Sequence, residues 1–492
     1  MMTRPALYLL ASTLTAAIGC TSDLELPADD TADAPDAPPA AACTVTPIDV
    51  DRSLFVSPTA PPDQAALRAR FSVSRIMNHI LASSGAGQPA SGAELFRRWW
   101  DTQNSSASAA FAGNPHCDDN GGRINGFPVA CQRNEGILAQ AQPDSHFPVA
   151  LVYRPDLTAS DGSTCGEARI VIAKPADAGG RNLAIFEAAI PNPEPGCGVV
   201  GCRKVAQFWA NLSTIDSFPQ RLDALERFYF TGLDPALDGV ATQPVLDAAN
   251  LGLPDDAGAR HGQIRTNQFM AGPRPPAWQL REFQLARTCT APGSCKLLFE
   301  PVTVKTNPFG VLFNDLAPEP RGAAFRDEFV GQVGALAAPE LTAISMSIGN
   351  EFNAGQSNSQ GPENQYGLHF GQGNPGGFRT AIADELAALG SPLTADNIVA
   401  RATAQSCAGC HQLSNGALIG GIDPLGNPLR WPPSANFVHV VENGVRSMAL
   451  NRVFLPRRRQ ILEQLLADTC TGTCAAPRVA DPTPIAGQAM VH

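Results

Sequence analysis

The sequence predicts a chain in two parts: a large α+β N-terminal region with several antiparallel strands, then a small all-α C-terminal domain. Three observations carry this. Runs of apolar and β-branched residues, separated by turn-forming stretches, recur between residues 147 and 305. Segments with apolar residues at three- and four-residue spacing lie on both sides of them. Near the C-terminus one helical pattern runs into Cys407-Ala408-Gly409-Cys410-His411, and another opens at Pro456.

The first segments are read as processing signals and not as fold. Arg4 supplies a short positive region and Ala6 to Ala17 an apolar one too short to span a membrane, so residues 1–19 read as a cleaved signal peptide. Ala17-Ile18-Gly19-Cys20 resembles the lipobox of bacterial lipoproteins, which implies a lipid thioether on Cys20 and export. Thr21 stands where an aspartate would mark inner-membrane retention, so the resemblance implies outer-membrane anchoring, facing the periplasm or the cell surface. Residues 20–45 are rich in Asp, Ala, Pro and Thr, with almost nothing to bury, and read as a disordered tether.

Folded structure is expected from near Leu54, within a mixed α+β domain over residues 46–390. Ala65 to Ser83 and Ala93 to Trp100 read as helices, with Leu67, Phe71, Ile76 and Ile80 on one face. Val149 to Tyr153, Ala168 to Ile172 and Leu183 to Ile190 read as strands, and Val205 to Leu212 and Gln220 to Phe230 as helices. Gly232 to Gly262, dense in Gly, Pro and Asp, is either a division between two lobes or a long surface excursion. Strands follow at Gly262 to Phe269, Trp278 to Thr288 and Lys296 to Lys305, then helices at Arg326 to Leu336 and Pro339 to Met346. Asn350 to Gly377 lacks periodicity and reads as a long loop.

The chemistry sits in Cys407-Ala408-Gly409-Cys410-His411, the pattern that attaches a c-type haem. Two thiols one helical turn apart reach one porphyrin edge, and the next histidine serves as proximal iron ligand. A zinc site would need two more ligands of similar spacing, and no second Cys-x-x-Cys or His-x-x-x-His is present. Residues 391–470 resemble a class I c-type cytochrome beyond this motif. Thr394 caps a helix through Ile398, Val399 and Ala402, matching the family's N-terminal helix, and the Pro456 helix, with Ile461, Leu462, Leu465 and Leu466 on one side, matches the C-terminal helix that crosses it. The resemblance implies that Pro424 offers its carbonyl to His411, and that Val440 to Met448 is the segment in which a short helix and a glycine precede the distal ligand, Met448. Alanine follows Met448 where the family has proline, and the competing distal ligand is His439. One covalent haem c is the expected cofactor.

Of thirteen cysteines, assigning Cys20 to lipid and two to haem leaves ten, an even number that suits an oxidising compartment. Neighbours in sequence suggest Cys117 with Cys131, Cys197 with Cys202, Cys289 with Cys295 and Cys470 with Cys474, leaving Cys43 with Cys165. The net charge of −11 invites no nucleic acid. Residues 391–470 hold seven arginines against five acids, a net of +2, with Arg457-Arg458-Arg459 placed to meet haem propionates, an acidic partner or solvent. Residues 471–492 are a tail.

No nucleophile elbow, His-Glu-x-x-His helix, phosphate loop or dinucleotide fingerprint occurs in residues 46–390, and Asp118-Asp119-Asn120 and the scattered histidines read as structural. The expectation is therefore a membrane-anchored cytochrome lipoprotein, an electron carrier more than a catalyst, whose partners are redox proteins or small electron donors and acceptors. Two alternatives stand: a haem-dependent oxidoreductase whose large domain binds a substrate, and a disulfide-rich surface-binding lipoprotein without haem.

Overall fold

Alternation of side chains along β-branched runs makes one large antiparallel sheet the frame of the molecule. The computed structural model describes residues 46–133, 143–175, 181–269 and 277–470, so the expected signal peptide, the expected lipid site Cys20, the expected tether and the expected tail lie outside the described residues. In chain order the elements are β1 (Phe55–Val56), α1 (Pro61–Arg70), α2 (Val73–Ser83), α3 (Gly92–Asp101), α4 (Asp119–Gly122), β2 (Arg123–Ile124) and β3 (Phe127–Pro128). Then come β4 (Phe147–Thr158), β5 (Thr164–Ala173), β6 (Leu183–Pro191), α5 (Arg203–Asn211), α6 (Phe218–Phe230) and α7 (Pro235–Asp238). β7 (Gln263–Phe269), β8 (Trp278–Ala291), β9 (Ser294–Val302), α8 (Gly322–Val330) and α9 (Val333–Leu336) follow. The last group is β10 (Ser357–Asn358), α10 (Tyr366–Gly371), α11 (Phe378–Ala388), α12 (Ala395–Gln405), β11 (Leu418–Ile422), β12 (Pro428–Arg430) and α13 (Leu455–Asp468).

The sheet runs β1-β4-β5-β6-β7-β8-β10, with β9 also paired to β8, and every pairing is antiparallel. Its three longest expected hairpin strands stand where the alternation put them. β6 pairs directly with β7 across Gly232 to Gly262, so that stretch divides no lobes, and it is no surface excursion either, since Val245, Leu246, Ala248 and Leu251 are buried in the core. The expected helix over Ala65 to Ser83 is two helices, because Ser72 stops the first and caps the second by accepting the Arg75 amide at 3.3 Å. Pro339 to Met346 holds only a short 3₁₀ turn, and the expected loop at Asn350 to Gly377 contains both β10 and α10.

Three disulfides are described: Cys117 with Cys131, Cys289 with Cys295, and Cys165 with Cys202. The last replaces two expected pairs, Cys197 with Cys202 and Cys43 with Cys165, because β5 delivers Cys165 to the start of α5. Cys197 and Cys470 are also disulfide-bonded, while Cys43 and Cys474 lie outside the described residues.

The C-terminal segment is not all-α. β11 and β12 form a hairpin whose turn is fixed by Asp423, whose carboxylate accepts the amides of Leu425 and Asn427 at 2.9 and 2.8 Å. α12 begins with the expected Thr394 cap, completed into a capping box by Asn397. α13 packs chiefly on β4 and α5 and not across α12; most of the buried apolar residues between 48 and 466 form one cluster, and Cys407 and Ala408 belong to a second, smaller one with Phe269, Trp278, Leu280 and Val304. Residues 391–470 thus fold onto the sheet. Among the described residues no helix is long and apolar enough to cross a membrane.

Candidate functional site

The Cys407–His411 turn is held against the sheet edge by its backbone. α12 ends at Ser406, whose hydroxyl accepts the Gly409 amide at 3.0 Å, and the chain continues into a π-helical turn over Gly409–Leu413. The Ala408 amide donates to the Ser357 hydroxyl of β10 at 2.8 Å. A Cβ on Gly409 would stand 1.6 Å from the Thr403 carbonyl oxygen, so only glycine fits between the two cysteines' flanks. Arg401, one helical turn earlier, ties α12 to its surroundings by donating to the carbonyls of Leu336, Ala338, Ile419 and Gly420.

Cys407 and Cys410 are buried and, among the described residues, are the cysteines not joined in disulfides. Burial pushes the Cys407 thiol up to about 12 and the Cys410 thiol higher still, so both are protonated at neutral pH. His411 stacks on Trp278 of β8 with ring centroids 5.1 Å apart, and its Nδ1–H donates to the Phe437 carbonyl at 2.7 Å. Burial lowers its pKa to about 4, so the ring is neutral and the lone pair is on Nε2. The Phe437 carbonyl, also bonded by Asn267 at 2.9 Å, has the role that sequence reasoning gave to Pro424, which lies on the β11–β12 turn. Presenting that carbonyl takes strain. Asn436 and Phe437 both have positive φ, 52° and 69°, and Arg181 braces them by donating to the Ala435 and Asn436 carbonyls at 2.6 and 3.0 Å.

The two proposed distal ligands are placed differently. Met448 is 46 % exposed and does not line the cleft that His411 faces. His439 lines that cleft and is half-buried, its ring centroid 4.7 Å from that of His411. Its Nδ1 meets the Ser447 hydroxyl at 2.9 Å and its Nε2 meets the Cys410 sulfur at 3.3 Å. Burial first, then the neighbouring His411 and Arg458, holds its pKa well below the usual value, so it too is neutral. Where a short helix was expected ahead of Met448, Val440 to Arg446 is a tight turn closed by a bridge between those two residues. That turn directs Met448 outward.

Cys407, His411 and His439 open on a narrow cleft with about 90 Å³ of free interior, walled on its other side by the sheet. Val152 and Arg154 of β4, Arg169 and Val171 of β5, Leu183, Ile185 and Glu187 of β6, Arg265 and Asn267 of β7, and Leu280 of β8 form that wall. Arg458 of α13 joins it, with Nε 3.5 Å from Asp156, whereas Arg459 pairs with Glu463 on the helix surface. Sequence reasoning missed the sheet's part in this site. Its signal was present as Arg and Glu at alternate strand positions, which reads equally as a solvent face.

The side-chain types at the cleft fit a c-type haem in kind: two thiols at the attachment spacing, a neutral histidine after them with its other nitrogen fixed, a second neutral histidine, and a wall of mixed aliphatic and cationic character. Among the described residues no three His, Cys, Asp or Glu side chains converge as a metal site of their own. No protein-family model, curated protein or solved structure matches the chain.

Proposed function

We propose that the chain is an exported c-type haem protein that transfers electrons, with Cys407 and Cys410 as thioether anchors, His411 as proximal ligand and His439 as distal ligand. The supporting observation is that the Cys407–Cys410 pair is reduced and buried beside two neutral histidines, while the other described cysteines are oxidised. Bound haem would supply a one-electron couple whose potential two histidine ligands set lower than His/Met ligation does. The chain's own residues prepare that state. Phe437 fixes the His411 tautomer, and the Cys410 sulfur lies 3.3 Å from His439 Nε2. A thioether at Cys410 has no proton to donate, which leaves that nitrogen's lone pair available to iron.

A signal peptide on residues 1–19 and a lipid on Cys20 would carry the protein to the outer membrane, with a redox protein or small electron carrier as partner. The cytochrome resemblance is proposed for the motif and its flanking helices, which here fold onto a sheet. The test is haem content after co-expression with the haem-attachment machinery. Wild type should carry one covalent haem, and the Cys407→Ser, Cys410→Ser double variant none. Equal haem in both would refute the attachment.

A further inference from the structure

We infer that the cationic strip of the large sheet seats the two carboxylates of the haem, so that the N-terminal region forms half of the cofactor site. This rests on the haem reading above. The register divides the cleft wall in two. Val171 stands opposite Ile185, and Leu183 opposite Asn267, which stands opposite Leu280, so one part of the wall is aliphatic. The other part is charged: Arg154, Arg169 and Arg265 line it, Arg458 joins from α13, and Glu187 is the one carboxylate among the lining residues.

Each arginine already has an acidic partner. Arg154 pairs with Asp156 at 2.6 Å, Arg169 with Glu167 at 2.7 Å and Glu187 at 3.0 Å, and Arg265 with Glu282 at 3.0 Å. Asp156, Glu167 and Glu282 do not line the cleft, so the surface it presents is predominantly cationic. Burying an ion costs several kcal/mol even when it is paired, and hydrophobic residues of equal volume would fill an ordinary core more cheaply. A guanidinium has five N–H donors in a fork, so it can hold a second carboxylate without releasing the first. The occupant matching this wall has an apolar body and a dianionic edge. A haem is such a molecule, and the wall faces the turn that would anchor it.

The test uses the full-length protein matured with haem whose carboxylates are isotopically labelled. Redox-difference infrared spectra then report the carboxylates directly, and redox titration reports the potential. In Arg169→Gln the labelled bands should shift and the potential should fall, because a positive charge that favours the added electron is gone; Arg169→Lys should restore most of the potential. Should Arg169→Gln fail to fold, Arg458→Gln carries the test, since Asp156 keeps its bond to Arg154. Labelled bands unmoved in both glutamine variants, with haem attached as in wild type, would overturn the inference and leave the haem reading standing. Wild-type protein without covalent haem would remove the haem reading itself, and this inference with it.

Discussion

The two faces of the sheet are made from the same strands and are both buried, yet they are built from different chemistry. On one face Trp99 of α3 stacks on Phe299 of β9 with centroids 4.6 Å apart and meets Phe186 and Phe283 edge-on or tilted. On the other, the residues one position along, Ile185, Glu187 and Glu282, face or support the cleft, and arginine–carboxylate pairs replace aromatic contact. The comparison teaches that burial alone does not mark a site. A face that keeps ions out of water at a cost of several kcal/mol each has a use for them, whereas a face that stacks aromatics needs no other reason than packing.

The comparison is broken most sharply at the cleft's second histidine. His439→Ala should abolish the low-spin spectrum of the haem-loaded protein, while Met448→Ala should leave it unchanged, as absorption spectra of both oxidation states would show. The reverse outcome would return the distal role to Met448. On the aromatic face the expected loss is of stability and not of cofactor chemistry. Trp99→Ala should cost about 3–5 kcal/mol in denaturant unfolding, since the ring is wholly buried, yet the folded fraction should keep its haem and its spectrum. A changed spectrum would mean that the faces are coupled.

The smallest effect concerns His146, which packs on Phe96 and Trp100 on the aromatic side and meets Asn182 at 3.1 Å. Burial lowers its pKa from 6.5 to about 4. The unfolded chain therefore binds the proton first, so the contribution is complete above pH 6.5 and is lost as the pH falls towards 4. Its full size is about 3 kcal/mol. Stability measured against pH should fall less steeply through that window in His146→Gln than in wild type; identical slopes would show that other groups carry the acid sensitivity.

Much of this was legible beforehand because the signals are local. The Thr394 cap, the burial of Leu67, Phe71, Ile76 and Ile80 and the Cys289 to Cys295 hairpin each depend on residues a few positions apart. Pro424 and the crossing of α12 by α13 were misplaced for the reason that leaves Met448 46 % exposed. Each was carried over from the way a separate all-helical domain closes on itself, and here α13 closes on β4 and α5 instead.

By itself, the sequence determined most of the longer strands and helices and the spacing of the cysteine pair and the histidine that follows it, since spacing along a chain dictates what one turn or one strand face can bring together. Only the tertiary structure decided what stands across from that turn. The Phe437 carbonyl, His439 and the arginines of three strands arrive from positions 26 to more than 250 residues away, and no local pattern records a distance of that kind. The same Arg and Glu alternation would serve a solvated face equally well. It becomes a cleft wall because the C-terminal segment folds over it and excludes water, which turns ordinary surface charges into costly buried ones.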